Sequence, residues 1–552
     1  MLSLAAPFLS DARIRRIARL GPSVEAFARD VNERPHPVVF ATLHLALWES
    51  QTWLKFLSAT PLPPFGIIYR PLDNPAIDAF VKRTRERHGM RLLSRREGFA
   101  EAQAILRARG CVGVLFDQNA GQQGALTLLF GRVCSSTELP GILAEKFGAE
   151  LRTFYPRRTA FWRVTFESDP VGSDGTAGDA TISLNRWFEN AMSDEDLCAS
   201  WLWTHDRWRN QDIPSARLRL AARRDLTAAD LRARGLSRMP RNTRVWVRLP
   251  NWLGDVVMAL PLLRAIRRSR PDAEITLLAG PGFVPLIESW GLADRILPLP
   301  ARGPGYFAHF AGLRAAYPDV WILLTNSLRG DLEARVAGCP QRFGILRPGR
   351  RRPLLTHAYR PPDGFDEAHH HQIELWENFL RHFGLAAPPD LTPFSRAGFA
   401  AGGPIGIIAG SENEPAKRWP AEHWRRLIED MPDERFILFG TPGDRAVASA
   451  ISSGLDPARV SNLAGRTGLL EFAARLAQCR LLVSNDTGGM HLANALGVPL
   501  VALFGPTNPI RTGPVFSSPY RILQPPGCPP TGGGSLAELP PEAVVAAVRD
   551  LP

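Results

Sequence analysis

Val245-Trp246-Val247-Arg248-Leu249-Pro250-Asn251-Trp252-Leu253-Gly254-Asp255-Val256-Val257-Met258-Ala259-Leu260-Pro261 reads as a strand that turns directly into a helix. Val245 to Arg248 is the strand, the helix is expected over Asp255 to Arg268, and Ile275 to Ala279 forms the next strand. Ile405 to Ala409, Arg435 to Phe439, Leu481 to Ser484 and Leu500 to Phe504 repeat the theme, separated by amphipathic segments. Short β-rich runs alternating with helices are the signature of a parallel sheet covered on both faces. At the tip between strand and helix, Gly254 lets a ligand approach the backbone, and Asp255 stands N-terminal to a helix where an open α/β sheet binds its ligands. From this fragment alone, a helix-capping aspartate explains Asp255 as well as a catalytic base does.

The 552 residues allow three or four domains at ordinary domain sizes. An Arg-rich stretch from Ala216 to Arg244 separates regions of different character, and a Pro/Gly-rich one from Ala386 to Pro404 interrupts the periodicity again. The expected order is a first α/β domain over 1–215, a linker over 216–243, and two Rossmann-like domains over 244–390 and 404–552. The last two should face each other across a cleft. No short-period repeat is present.

The composition is that of a globular protein, with 45% hydrophobic and 22% charged residues. The formal net charge of +12 favours a polyanionic partner, whether nucleic acid, an acidic membrane face or a phosphorylated substrate, and no nucleic-acid-binding motif accompanies it. Cys111, Cys134, Cys198, Cys339, Cys479 and Cys528 are scattered without a close pair, which points to a reducing, cytoplasmic setting. No apolar run approaches the ~18 residues of a membrane span, and in MLSLAAPFLSDARIRR the positive charges follow the apolar part, the wrong order for a signal peptide. On a helix over residues 11 to 20, Ile14, Ile17, Ala18 and Leu20 oppose Arg15, Arg16 and Arg19, a pattern that suits either packing on its own domain or contact with a membrane surface.

Two further constellations carry chemistry. Leu481 to Ser484 runs into Asn485-Asp486-Thr487-Gly488-Gly489, a strand followed by a Gly-rich turn and a helix whose first amides suit a diphosphate. A simple chain reversal explains the two glycines equally well. Lys417 follows the first strand of the same domain and can supply a point charge to phosphate oxygens, and Thr441 to Asp444 is placed for an adenosine or ribose contact. Near the start, the buried-strand run Val38-Val39-Phe40-Ala41 precedes His44 and, five residues later, Glu49. Residues five apart cannot face each other on one helix, so His44 is expected in the turn before a helix that carries Glu49, with the carboxylate fixing the histidine's tautomer for use as a general base. A capping or core histidine is the structural alternative. His369-His370-His371 is not expected to hold a metal, because adjacent helical residues cannot converge on one ion.

These residues lie in blocks that resemble two known families. GIIYRPLDNP (66–75), VLFDQNAG (114–121), FYPRR (154–158) and WTHDRW (203–208), following His44 and Glu49, resemble the lipid A late acyltransferases of the lauroyl/myristoyl type over roughly residues 36 to 212. The resemblance implies a glycerolipid-acyltransferase-like fold, His44 as base with Glu49 as orienting acid, and substrate contacts at Arg70, Asp117 and Gln118. It also implies an acyl carrier protein thioester as donor and a Kdo-bearing lipid A precursor as acceptor. Downstream, RLPNWLGDVVMALP (248–261), LLTNSLRG (323–330), PAKRWP (415–420), NLAGRTGL (462–469), SNDTGGMHLANALGVP (484–499) and ALFGPTNPIRTGP (502–514) resemble family 9 glycosyltransferases, above all ADP-heptose:lipopolysaccharide heptosyltransferases of type II. That resemblance implies a GT-B pair of domains, inversion at the sugar without a metal or other cofactor, and Asp255 as base beside Gly254. Lys417, Thr487, Gly488, Gly489 and His491 would then hold ADP-heptose, and Asp486 the sugar hydroxyls. The joint expectation is a bifunctional lipopolysaccharide enzyme in peripheral contact with the inner face of the inner membrane, with no nucleic acid partner. Its rival is a single heptosyltransferase carrying a non-catalytic lipid-binding module. A dehydrogenase is disfavoured because neither domain has G-x-G-x-x-G after its first strand.

Overall fold

The computed structural model describes residues 5, 8–394, 402–411 and 415–552. Residues 1–4, 6 and 7 of the stretch MLSLAAPFLSDARIRR, residues 395–401 of the Pro/Gly boundary and residues 412–414 lie outside them. The chain divides into two compact units, one comprising 1–216 with 220–240 and the other 217–219 with 241–552.

The first unit is built on a seven-stranded sheet. Its spatial order is Ala18–Leu20, Arg163–Glu167, Glu150–Ala160, Val38–Thr42, Cys111–Leu115, Phe65–Tyr69 and Arg91–Ser94. All pairs are parallel except that between Glu150–Ala160 and Arg163–Glu167. Val38–Thr42 lies at the centre and all five of its residues are buried, as a strand covered on both faces requires. Its register pairs Thr42 with Leu115, so the residues just beyond both strands emerge side by side at the carboxyl edge of the sheet.

The Arg-rich stretch is folded structure rather than a linker. Arg224–Asp225 pairs with Ala125–Leu129 in a small three-stranded sheet, and the helix Thr227–Ala233 packs beside it. The arginine content misleads because the charge is answered inside the unit. Arg234 is held at 2.6 Å by the fully buried Asp230 and at 2.5 Å by Glu189, while Leu226 joins Ala125 and Ile182 in a small core. The N-terminal segment also differs from a ten-residue helix. Asp11–Ile17 is helical and Ala18–Leu20 is a strand, with Ile14 and Ala18 buried in the core, so that apolar side is spent on packing.

The second unit contains two six-stranded sheets, both wholly parallel. The first runs Arg295–Pro298, Ala273–Ala279, Thr243–Arg248, Val320–Leu323, Gln341–Ile345, His357–Tyr359. The second runs Val460–Asn462, Phe436–Phe439, Ile405–Ile408, Leu481–Asn485, Leu500–Leu503, Tyr520–Leu523. In each sheet the first strand in sequence is central and the chain reverses direction around it, which opens a crevice at the carboxyl ends. The helix after the first strand begins at Leu253, two residues earlier than expected, with Trp252 as its N-cap, so Asp255 sits in the first turn rather than at the cap.

Candidate functional site

In the second unit the carboxyl ends of both sheets line one cleft of about 720 Å³. Gly254, Asp255, Lys417, Asp444, Asp486, Thr487, Gly488, Gly489 and His491 all face it. Two helix starts meet on its floor, Leu253–Ser269 and Gly488–Leu496. Their closeness depends on glycine: a Cβ on Gly254 would stand 2.8 Å from His491 Cδ2, and one on Gly488 2.8 Å from Leu253 Cβ. Both helices aim their first-turn amides and the positive end of their dipoles at the same space, a setting for phosphate oxygens. Gly254→Ala is therefore expected to lower turnover in this cleft by about tenfold or more, because His491 is buried and has no room to yield. Steady-state rates set against an unchanged thermal midpoint would test this.

The cleft's electrostatics separate Asp255 from Asp486, two of the three carboxylates that line it. Burial pushes the Asp255 carboxyl above its ordinary value of 3.8, the Arg511 guanidinium and Lys417 pull it back, and the negative charge of Asp486 pushes it further up. Asp486 itself has a cation at hand, with Lys417 Nζ at 3.5 Å from its Oδ2. One wall thus carries a stronger-than-usual base and the other a charge-balanced pair beside the glycine turn. His491 is pushed down to about 3, by burial first and then by the positive field of His371 and Lys417, so it stays neutral at physiological pH. Asp444 faces the cleft, but its Oδ2 accepts from Thr441 N and Thr441 Oγ1, both at 2.8 Å, and so shapes the loop after Phe436–Phe439.

Two further residues support this cleft, and neither had a role of its own in the sequence motif that contains it. Asn485, buried, donates to Ala409 O at 2.8 Å and accepts from Trp419 N at 3.3 Å, tying three cleft loops together. Arg511 faces the cleft while paired with Glu367 at 2.6 Å. The three histidines disperse: His369 pairs with Asp366, His370 with Glu374, and His371 Nε2 lies 3.0 Å from Gly513 O.

The first unit has its own constellation at the carboxyl edge of its sheet, and it corrects the expected pairing. His44 Nδ1 is bonded to Asp117 Oδ1 at 2.8 Å, and Asp117 Oδ2 accepts from His44 N at 2.8 Å and Trp201 Nε1 at 2.9 Å. Glu49 does not reach His44. Its carboxylate is clamped by Arg85, Nη2 to Oε1 at 2.6 Å and Nε to Oε2 at 2.9 Å. The cause is the turn between them: Ala46 takes a left-handed φ of 37° and donates to Ser200 O, so the chain swings Glu49 onto the 3₁₀ helix Trp48–Trp53, away from the imidazole.

Burial alone would raise the Asp117 carboxyl, but the hydrogen bonds and positive charge of His44, with the Trp201 indole, outweigh it and hold it below the ordinary range. A carboxylate at Nδ1 leaves His44 Nε2 as the acceptor, and the Gln118 amide donates to it at 3.2 Å. The same amide lies 3.2 Å from His205 Nε2, a ring that burial and then His44 hold below its usual pKa. Arg70, at the end of Phe65–Tyr69, is exposed near this edge.

Comparison with known proteins accords with both halves. Residues 306–531 match the model of glycosyltransferase family 9 (heptosyltransferase). Lipopolysaccharide heptosyltransferase 2 of Escherichia coli (strain K12) is 30% identical over 307 residues, covering 50% of this chain and 86% of that protein. The chain belongs to glycosyltransferase family 9. A second family relative, lipopolysaccharide heptosyltransferase 1 of Pseudomonas aeruginosa, is 28% identical over 281 residues, 47% of this chain and 78% of that protein. The solved E. coli ADP-heptose lps heptosyltransferase II aligns with 28% identity and a TM-score of 0.47, covering 56% of this chain and 98% of that one. Residues 5–210 match a different model, bacterial lipid A biosynthesis acyltransferase, so the family 9 part is fused to an acyltransferase-like domain. The family 9 match takes in Lys417 and Asp486–Gly489 but begins after Asp255, whose case rests on its place in the cleft.

Proposed function

We propose that the chain carries out two transfers onto one glycolipid. In the cleft, Asp255 takes the proton from an acceptor hydroxyl of the Kdo/heptosyl-lipid A inner core. The freed oxygen attacks the anomeric carbon of ADP-heptose, the bond from that carbon to the ADP oxygen breaks with inversion, and Lys417 with the Thr487, Gly488 and Gly489 amides receives the charge of the leaving diphosphate. Asp486 and His491 hold the sugar. The observation that carries this reading is the convergence of a carboxylate of raised pKa with an anion-binding glycine turn in one cleft.

In the first unit, His44 removes the proton from a lipid A hydroxyl, whose oxygen attacks the carbonyl carbon of an acyl carrier protein thioester. The carbon–sulfur bond breaks, and the thiol leaves with the proton that His44 returns. Asp117 orients the imidazole, and Gln118 and Arg70 face the carbonyl and the acceptor's phosphate. The complete His44–Asp117 pair favours catalysis over a passive lipid-binding role. Both acceptors are forms of one phosphorylated lipid, which suits the +12 net charge and a place at the cytoplasmic face of the inner membrane.

The purified chain incubated with acyl carrier protein thioester, ADP-heptose and Kdo-lipid A is expected to yield product masses shifted by one acyl chain and by heptose. A heptosylated product without any acylated one would reduce the first unit to a lipid-binding module.

A further inference from the structure

The helix Pro75–Glu86 is built inside out. It buries none of its residues, and its apolar side chains Ile77 and Phe80 are 53% and 43% exposed, with Leu72 in the preceding loop at 48%. Ile77, Phe80, Val81 and Thr84 follow the spacing of a single helical face, the first two exposed and the last two half-buried. An amphipathic helix ordinarily turns such a stripe toward the core. Here polar contacts tie the helix to the rest of the unit: Asp78 accepts from Tyr69 Oη at 3.1 Å and Leu72 N at 2.9 Å, Arg85 grips Glu49, and Glu86 accepts from Leu92 N at 2.9 Å.

The surroundings of this face are cationic. Residues 70 to 97 hold eight Lys or Arg against four Asp or Glu. Arg70, Lys82, Arg83, Arg95 and Arg96 are exposed, alongside the exposed acids Asp73 and Glu97. Arg70 and Arg95 follow the parallel strands Phe65–Tyr69 and Arg91–Ser94, so they stand at the same edge of the sheet as His44 and Asp117. The helix is also wired to that site. The Arg85 guanidinium lies 5.2 Å over the Trp48 ring, which lies 5.0 Å from the His44 ring.

We propose that Pro75–Glu86 is an interfacial helix that lays the acyltransferase-like unit on an anionic bilayer, with Leu72, Ile77 and Phe80 entering the acyl–headgroup boundary and Lys82, Arg83 and Arg95 meeting lipid phosphates. A helix with large apolar residues on one side and basic residues beside them binds an interface by both terms together. An acidic protein partner would answer the cations but would leave three large apolar side chains on a helix face and its leading loop to account for. The inference rests on the lipid-directed reading of this unit and names the surface that delivers it: through Arg85, the helix that touches lipid also holds Glu49 and packs on Trp48, the ring beside the catalytic histidine.

The test is sedimentation of the full chain with vesicles of phosphatidylcholine, with and without about one third phosphatidylglycerol. The parent is expected to sediment with the anionic vesicles, less so in high salt, and Ile77→Glu/Phe80→Glu to lower its partitioning by about tenfold or more. If that variant fails to fold, Ile77→Cys carrying an environment-sensitive fluorophore decides instead, with emission shifting to the blue on anionic vesicles. A parent that stays in solution, a folded double variant that sediments like the parent, or a label without a blue shift overturns the proposal. Loss of acyl carrier protein binding with sedimentation unchanged overturns it too, by reassigning the face to that partner. Acyl transfer to detergent-dispersed acceptor checks the catalytic reading separately, and Ile77→Glu/Phe80→Glu should retain it there.

Discussion

An Asp255→Asn variant is expected to lose about three orders of magnitude in sugar transfer, the middle of the range a positioned general base contributes, while remaining at least as stable as the parent. The two halves of that expectation share one cause. Burial raises the folded-state pKa of Asp255 above the 3.8 it has when unfolded. The folded protein therefore holds this proton more tightly than the unfolded chain, and at any pH above the unfolded value the ionised carboxylate costs stability. Asparagine fills the same volume without charge, so the ligand-free thermal midpoint at neutral pH should not fall and is expected to rise. The advantage should shrink as pH drops through the raised folded pKa, because the parent then sheds its charge as well. The same pKa should appear in the rate: kcat of the parent falls on the acid side at a pH above the ordinary carboxylate value, and the residual rate of the variant lacks that limb. Parent-like turnover in Asp255→Asn would remove this side chain from the chemistry.

The cleft was legible in sequence because its parts are local. Gly254 and Asp255 follow a strand within a few residues, as do Asp486 to Gly489, and a strand–turn–helix unit carries its own address at the carboxyl end of a parallel sheet. Arg511 sat inside a quoted block, yet its relation to Asp255 spans 256 positions and exists only once both sheets have formed. The first unit shows the same divide. His44 was recognised from its place after a buried strand, whereas its acid comes from another strand through the pairing of Thr42 with Leu115, and no local spacing encodes that. Glu49, the nearest acid downstream, was the natural guess, and the left-handed turn at Ala46 that removes it occurs at a residue with no preference for φ > 0. The Arg-rich stretch misled for a related reason, since Asp230 and Glu189, which neutralise Arg234, are respectively inside it and 45 residues away.

Exchanging the two acids near His44 should therefore give unequal results. Asp117→Asn is expected to lower acyl transfer by roughly 10²- to 10⁴-fold, as much as His44→Ala, and Glu49→Gln by no more than about tenfold. Asp117 is surrounded by three donors, His44 N, the Nδ1–H of His44 and the Trp201 indole N–H. An amide there presents one NH₂ group to a donor. The imidazole can satisfy it only by moving its proton to Nε2, the nitrogen that must be free to take the acceptor's proton. The variant should also be less stable, by about 1–3 kcal/mol for a buried donor left unmatched. Its loss should be largest at neutral pH, because a carboxylate whose folded pKa lies below the unfolded value contributes stability above that value and loses it as pH falls through the folded one. Glutamine at 49 keeps one oxygen for Arg85, so the clamp loosens while the His44–Asp117 pair stays intact. Heptosyl transfer by the other unit should be unchanged in all three variants, which gives each assay an internal check on folding. Equal losses in Asp117→Asn and Glu49→Gln, with both proteins folded, would return the orienting role to Glu49.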